Sequence, residues 1–306
     1  MQEFYPEGLL EKNNENRQLL SDISLISGCA GSDTVLEAKA YMCDSNHNLI
    51  VELGGFRGII PRTEGAIGIK DGSVRDIALI SRVGKPVCFT VSEVRLDECG
   101  KPYALLSRRH AQELCRERFI EKLIPGDVIP ARVTHLESFG AFCDIGCGII
   151  ALLPIDAVSV SRISHPRDRF RVGDDIFVVI KSIADDGRIT LTHKELLGTW
   201  EENASRFSAG QTVSGIIRSV ENYGVFVEIA PNLAGLAEPK ADCFIGQKSS
   251  VYIKSIIPEK MKLKLIIIDN FDSDYSPPIE YFINTEHIDS WYYSTKECYK
   301  QIYTQF

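Results

Sequence analysis

Little in this sequence could hold a metal or cradle a phosphate, and each absence removes a class of function. Its nine cysteines include no Cys-x-x-Cys pair and no Cys/His arrangement with zinc spacing, so the thiols read as reduced and structural and no metal is expected. Cys143 and Cys147 straddle a strand end. No Gly-x-x-x-x-Gly-Lys-Ser/Thr loop occurs: Gly84-Lys85-Pro86 and Gly100-Lys101-Pro102 fail because proline follows the lysine. A Gly-x-Ser-x-Gly elbow and a His-Glu-x-x-His helix are also missing, and the six histidines are dispersed. Asp185-Asp186 reads as a turn before Gly187, not a two-metal site. A protein without catalysis or cofactor is expected. Glu3, Glu7 and Glu11 stand where a secretory signal would be apolar, and no segment approaches the length of a membrane span. A cytoplasmic location follows as the expectation. Basic excess is lacking too. The net charge of -8 argues against bulk attraction to nucleic acid, so any such contact must use local patches.

What is present is a repeat. The stretch Gly126 to Gly146 returns without a gap 84 residues later: Gly126 aligns with Gly210, Phe139 with Tyr223, Gly140 with Gly224, Phe142 with Phe226 and Ile145 with Ile229. Val128, Val133, Phe142 and Ile145 sit in short strand-like runs, and Ser138-Phe139-Gly140 lies between them as a turn or bulge, which makes a twisted hairpin. Strict alternation sends residues three apart to opposite faces. Phe139 and Phe142 can therefore share a face only if Gly140 breaks the period.

This hairpin, with Gly187-Arg188-Ile189-Thr190-Leu191-Thr192 and Ile163-Ser164-His165-Pro166-Arg167-Asp168-Arg169-Phe170, resembles the S-one RNA-binding repeat, named after the largest protein of the bacterial small ribosomal subunit. The chain is identified as a member of that ribosomal protein family, in a shortened form with three repeats. The resemblance covers roughly residues 30 to 270 and implies a mainly β fold, a tandem array of three five-stranded OB-fold barrels joined by short helices. The expected organisation is an N-terminal helical extension at 1–33, a degenerate first repeat at 34–109, a linker helix at 110–124, the second repeat at 125–196, a second linker helix at 197–206, the third repeat at 207–270 and an aromatic C-terminal extension at 271–306. Asn14 is the candidate cap of a single N-terminal helix carrying Leu19, Leu20, Ile23 and Ile26 on one stripe. The extension at the other end holds ten aromatics from Asn270 onward, too many for a solvated linker, and is expected to pack on the third barrel.

On spacing alone, Phe139 and Phe142 read as core residues. The resemblance reverses this, because in the family the matching aromatics lie outside the barrel and stack bases. Tyr223 and Phe226 inherit the inference. Arg188 matches the family's arginine beside the aromatics, with Lys262 as its counterpart in the third repeat and Tyr103 in the first. The family also places a histidine on this face, where this chain has Pro154 and Glu238. Arg162, His165, Arg167 and Arg169 form a basic loop expected to meet phosphates, with Lys181 beside it. The third repeat's offset falls from 84 at Gly210 to 73 at Gly246; the eleven missing residues remove that loop, and Lys254, Lys260, Lys262 and Lys264 partly restore charge. The first repeat has Asn46, His47, Asn48 and Ile50 where the stacking pair should be.

These features point to a non-catalytic protein that binds single-stranded mRNA and acts with the small ribosomal subunit in translation initiation. The second repeat is the main site, and the first docks to small-subunit proteins. The alternatives are a protein-interaction scaffold of OB barrels, favoured by the acidic charge, or an RNA-binding accessory of an RNA-processing or decay complex.

Overall fold

The computed structural model describes residues 4–271 and 279–306. The chain divides into two compact units: one runs to Leu123 and takes in Pro130–Arg132 and Asp144–Ile150, the other holds 124–129, 133–143 and the chain from Ala151 onward.

The first barrel consists of β1 (Leu36–Cys43), β2 (Leu49–Leu53), β3 (Phe56–Ile60), β4 (Pro86–Leu96) and β5 (Pro102–Ser107), closed in the order β1-β2-β3-β5-β4. Alternation fills it: Leu36, Ala38 and Ala40 point inward from β1, Val87, Phe89 and Val91 from β4. The second barrel, β6 (Val128–Glu137), β7 (Gly140–Asp144), β8 (Ile150–Pro154), β9 (Asp175–Ile183) and β10 (Ile189–Thr192), closes in the equivalent order. So does the third, β11 (Thr212–Glu221), β12 (Gly224–Ala230), β13 (Leu233–Ala237), β14 (Lys248–Ile257) and β15 (Lys262–Phe271). In each barrel the third and fifth strands pair in parallel. The fold is mainly β, with closed five-stranded barrels of the OB type, as the family resemblance implied.

The helices differ from their expected lengths, for local reasons. Instead of one N-terminal helix there are two, α1 (Asn14–Leu20) and α2 (Ile23–Gly28). Asn13, not Asn14, caps the first by accepting from the Glu15 N–H, and Asp22 accepts from the Ser24 N–H and starts the second. Ile26 still reaches the core of the first barrel. After the short α3 (Ile77–Ile80), α4 covers Arg108–Arg118 under a Ser107 cap and stops at Phe119, short of the expected run to 124. The second connector is split. Gly198, at φ +81°, separates a 3-10 turn at Lys194–Leu197 from α5 (Trp200–Ala204), which Thr199 and Glu202 close as a capping box.

In the first unit the N-terminal segment is fastened by buried charge. Glu7 accepts from Arg108 Nε at 2.7 Å and from an Arg82 guanidinium nitrogen at 3.0 Å, while its own N–H donates to Asp144 at 2.8 Å. Glu37 accepts from the N–H groups of Gly8 at 2.7 Å and Glu11 at 2.8 Å. Burial, outweighing those two donors, pushes the Glu37 carboxyl from 4.5 up to about 7. A group whose pKa is raised by folding stabilises fully below its unfolded value and loses that contribution as pH rises through its folded value. The urea midpoint should therefore fall as pH rises from about 5 to about 8. Glu37→Gln should remove part of that fall, to which Asp144, also raised by burial and then by the charge of Glu7, contributes as well. An identical profile in the variant would assign the dependence elsewhere.

In the second unit the C-terminal segment belongs to the core. Ile288, Trp291 and Tyr293 join Val227, Leu233 and Leu265 of the third barrel and Leu196 and Trp200 of the connector in one buried cluster. The hairpin β16 (Ser290–Tyr292) and β17 (Tyr303–Gln305) carries these rings. The described part of the segment packs on the third barrel as expected and also on the second, where Tyr281 meets Phe177 and His193 edge to face; Tyr275 lies outside the described residues.

Candidate nucleic-acid interface

Phe139 sits in the β6–β7 turn, before the strand begins, so strand parity does not govern it. Ala141 and Cys143 point into the barrel and Phe142 points out. The two rings meet edge to face at 6.0 Å and 89°, with Phe139 54% exposed. In the third barrel Tyr223 and Phe226 repeat the arrangement at 6.2 Å and 88°, with Tyr223 67% exposed. The glycine between the two members serves a different purpose from the expected one. A Cβ on Gly140 would lie 2.5 Å from the Leu153 carbonyl oxygen, and one on Gly224 2.5 Å from that of Ala237, so glycine is required by the close approach of the neighbouring strand.

Cations recur at equivalent register positions of the two barrels. Lys181 occupies the register break of β9 against β10, between the pairs Thr190–Ser182 and Leu191–Ile180. Lys254 occupies the same break of β14 against β15, between Ser255–Lys264 and Ile253–Leu265. Arg188 lies two residues before Thr190, which pairs with Leu152; Lys262 lies two before Lys264, which pairs with Leu236. Phe226 pairs in turn with Leu236, giving a continuous outward row Phe226–Leu236–Lys264. In the third barrel Tyr223, Phe226, Lys254, Lys262, Lys264 and Glu238 line one cleft of about 580 Å³. Arg188 in the second barrel is 85% exposed and held by Asp186 at 2.7 Å. An aromatic pair flanked by cations can stack bases and meet the backbone of a single strand.

The model of the S1 RNA binding domain matches residues 122–194, which contain the whole second barrel. Two curated relatives extend the likeness. Small ribosomal subunit protein bS1 of Leuconostoc lactis is 30% identical over 274 residues, covering 84% of this chain and 60% of that protein. The second barrel matches the S1 RNA binding domain, and most of the chain is similar to S1 ribosomal proteins. The bS1 protein of Staphylococcus haemolyticus is 29% identical over 253 residues, 77% of this chain and 62% of the relative. This chain thus spans about three-fifths of the length of these curated S1 relatives.

The basic loop of the second S1 barrel divides into structural and free members. Arg169, expected on phosphate, has a side chain only 6% exposed. It forks onto Glu228 of the third barrel, with one contact at 3.0 Å, and also donates to Ser159 Oγ at 3.3 Å and the Pro231 carbonyl at 3.2 Å. A guanidinium so committed has no face left for RNA, and Arg169 leaves the candidate set. His165 is occupied on one side: its Nδ1 accepts from the Arg167 N–H at 3.1 Å and caps the turn Pro166–Asp168. Arg162 and Arg167 are exposed. Each phosphate contact on a single strand contributes about 0.7 to the slope of log affinity against log salt. Replacing Arg162 and Arg167 together by alanine should lower that slope by roughly 1. An unchanged slope in a salt titration would make the loop a solvated connection.

Two residues on these faces escaped the sequence reading. His135 lies across the hairpin from Phe142, its ring 6.3 Å away and tilted by 32°, and meets Glu137 at 2.7 Å. An imidazole therefore reaches the S1 face from β6, not from the Pro154 position. The signal was available in the 84-residue offset, since Ser219, the partner of Phe226 in β11, is the counterpart of His135. Lys264 adds more than charge, since its pairing with Leu236 puts it in the central row. The first barrel has none of this. At its equivalent register break stands Ser92, between Val91–Leu106 and Glu93–Leu105. Ile50 is buried, His47 forms the turn at φ +62°, and Tyr103 is covered by the Arg57 guanidinium at 5.7 Å.

Proposed function

We propose that this chain is a non-catalytic protein that binds single-stranded RNA, mRNA in particular, through its second and third barrels and acts with the small ribosomal subunit in translation initiation. The carrying observation is the duplicated exposed aromatic pair, set at the same angle in both barrels and flanked by cations at the same register breaks. Base stacking on such rings is tolerant of sequence, as mRNA binding requires. The second barrel contributes Phe139, Phe142, Lys181 and Arg188, and the third Tyr223, Phe226, Lys254, Lys262 and Lys264. The names of the S1 relatives support the ribosomal setting. The first barrel, which offers no stacking ring at these positions, is assigned to protein docking.

Co-sedimentation of the full chain with purified small subunits tests both parts. A variant with Phe139, Phe142, Tyr223 and Phe226 all replaced by alanine should lose free single-stranded RNA yet still sediment with the subunit. Loss of both would place the ribosomal contact on the RNA faces and remove the docking role from the first barrel. Retention of RNA binding would remove the stacking role.

A further inference from the structure

We propose that Glu238 makes the third barrel selective for guanine in single-stranded RNA, an inference that rests on the RNA-binding reading and deepens it. Glu238 follows β13 directly, is exposed, and lines the same cleft as Tyr223, Phe226, Lys254 and Lys262. Although these lysines share its cleft, none pairs with it within 4 Å among the described residues. The second barrel has Pro154 at the equivalent place, which has no side-chain acceptor.

An ionised carboxylate is acceptor-only. Against phosphate it repels, so its place among lysines weakens the electrostatic attraction that the cleft exerts on any RNA. Against a base edge it can gain. Single-stranded RNA leaves the Watson–Crick edges open to side chains. Guanine alone presents two adjacent donors there, N1–H and the N2 amino group, matched to the two carboxylate oxygens in the forked manner that strengthens charge-assisted hydrogen bonds. Uracil, cytosine and adenine each offer one donor next to an acceptor, which would face the second oxygen. The aromatic pair holds any base by its face, and the carboxylate in the same cleft reads its edge.

The test is a fluorescence titration of the full chain against oligouridine of about six nucleotides, the same oligonucleotide with two central guanines, and a third with inosine in their place. Guanine should bind roughly tenfold tighter than uracil, the lower range of a bidentate contact. Inosine, which lacks the N2 amino group, should lose most of that advantage. Glu238→Gln should bring the guanine-to-uracil ratio towards one, because its amide nitrogen opposes a donor, and Phe226→Ala should do the same by removing the stacked base. A ratio unchanged in Glu238→Gln, or inosine equal to guanine, overturns the assignment. A wild-type chain that binds oligouridine but is indifferent to guanine overturns this inference alone. One that binds neither overturns the RNA-binding reading with it.

Discussion

Replacing Glu228 by alanine should cost about 3–5 kcal/mol of unfolding free energy, the loss expected when one member of a buried ion pair is removed. Glu228 is 4% exposed and takes Arg169 from the second barrel and Arg218 Nε of its own barrel, the latter at 2.6 Å. Arg218 also approaches Asp168 at 3.5 Å. Burial already draws the Arg169 pKa below its ordinary value, and the Glu228 carboxylate works against that draw. Without Glu228, two guanidinium groups would face each other away from water with half their compensation gone. Urea denaturation measures the loss. Replacing Arg169, Arg218 and Glu228 together by apolar residues should recover much of it, since desolvation is then no longer incurred. A loss below about 1 kcal/mol in Glu228→Ala would mean that water screens the cluster as it does a surface pair.

Phe142→Ala and Phe226→Ala should each weaken single-stranded RNA binding by about 1–3 kcal/mol while leaving thermal unfolding nearly unchanged. The rings point out of their barrels, where truncation opens no cavity. On an RNA long enough to occupy both barrels the second contact is intramolecular, so losing either ring lowers avidity more than the affinity of one barrel would suggest. Titration with short and long oligonucleotides separates the two terms. An unfolded Phe142→Ala would return that residue to the core, and unaltered affinity in the folded double variant would deny both faces any stacking role.

The tandem modules were readable because the 84-residue repeat carries its own punctuation, whereas the barrel itself was readable only through the family resemblance. The aromatic pairs were readable only through the family resemblance, since an apolar residue in a strand reads as core by itself. Arg169 could not be placed from sequence. Four arginines within ten residues look alike, and what separates Arg169 from Arg167 is Glu228, 59 residues further on. The connector failed for a local reason: the periodicity of Leu196, Trp200 and Ala204 was genuine, yet Gly198 adopts a conformation that no helix contains. In sequence Lys181 and Lys254 show only as charge, and their equivalence rests on paired register breaks that only strand pairing reveals.

Closure of the three sheets leaves none of their fifteen strands with an unpaired edge. Free edges are templates for joining other chains, and tandem modules of similar sequence are prone to exchange elements while they fold. A strand of the second barrel could enter the third only after its own ring had opened, with a ladder broken on each side. If several copies bind one RNA as proposed, each therefore meets its neighbours with closed rings and not with a sheet edge to extend.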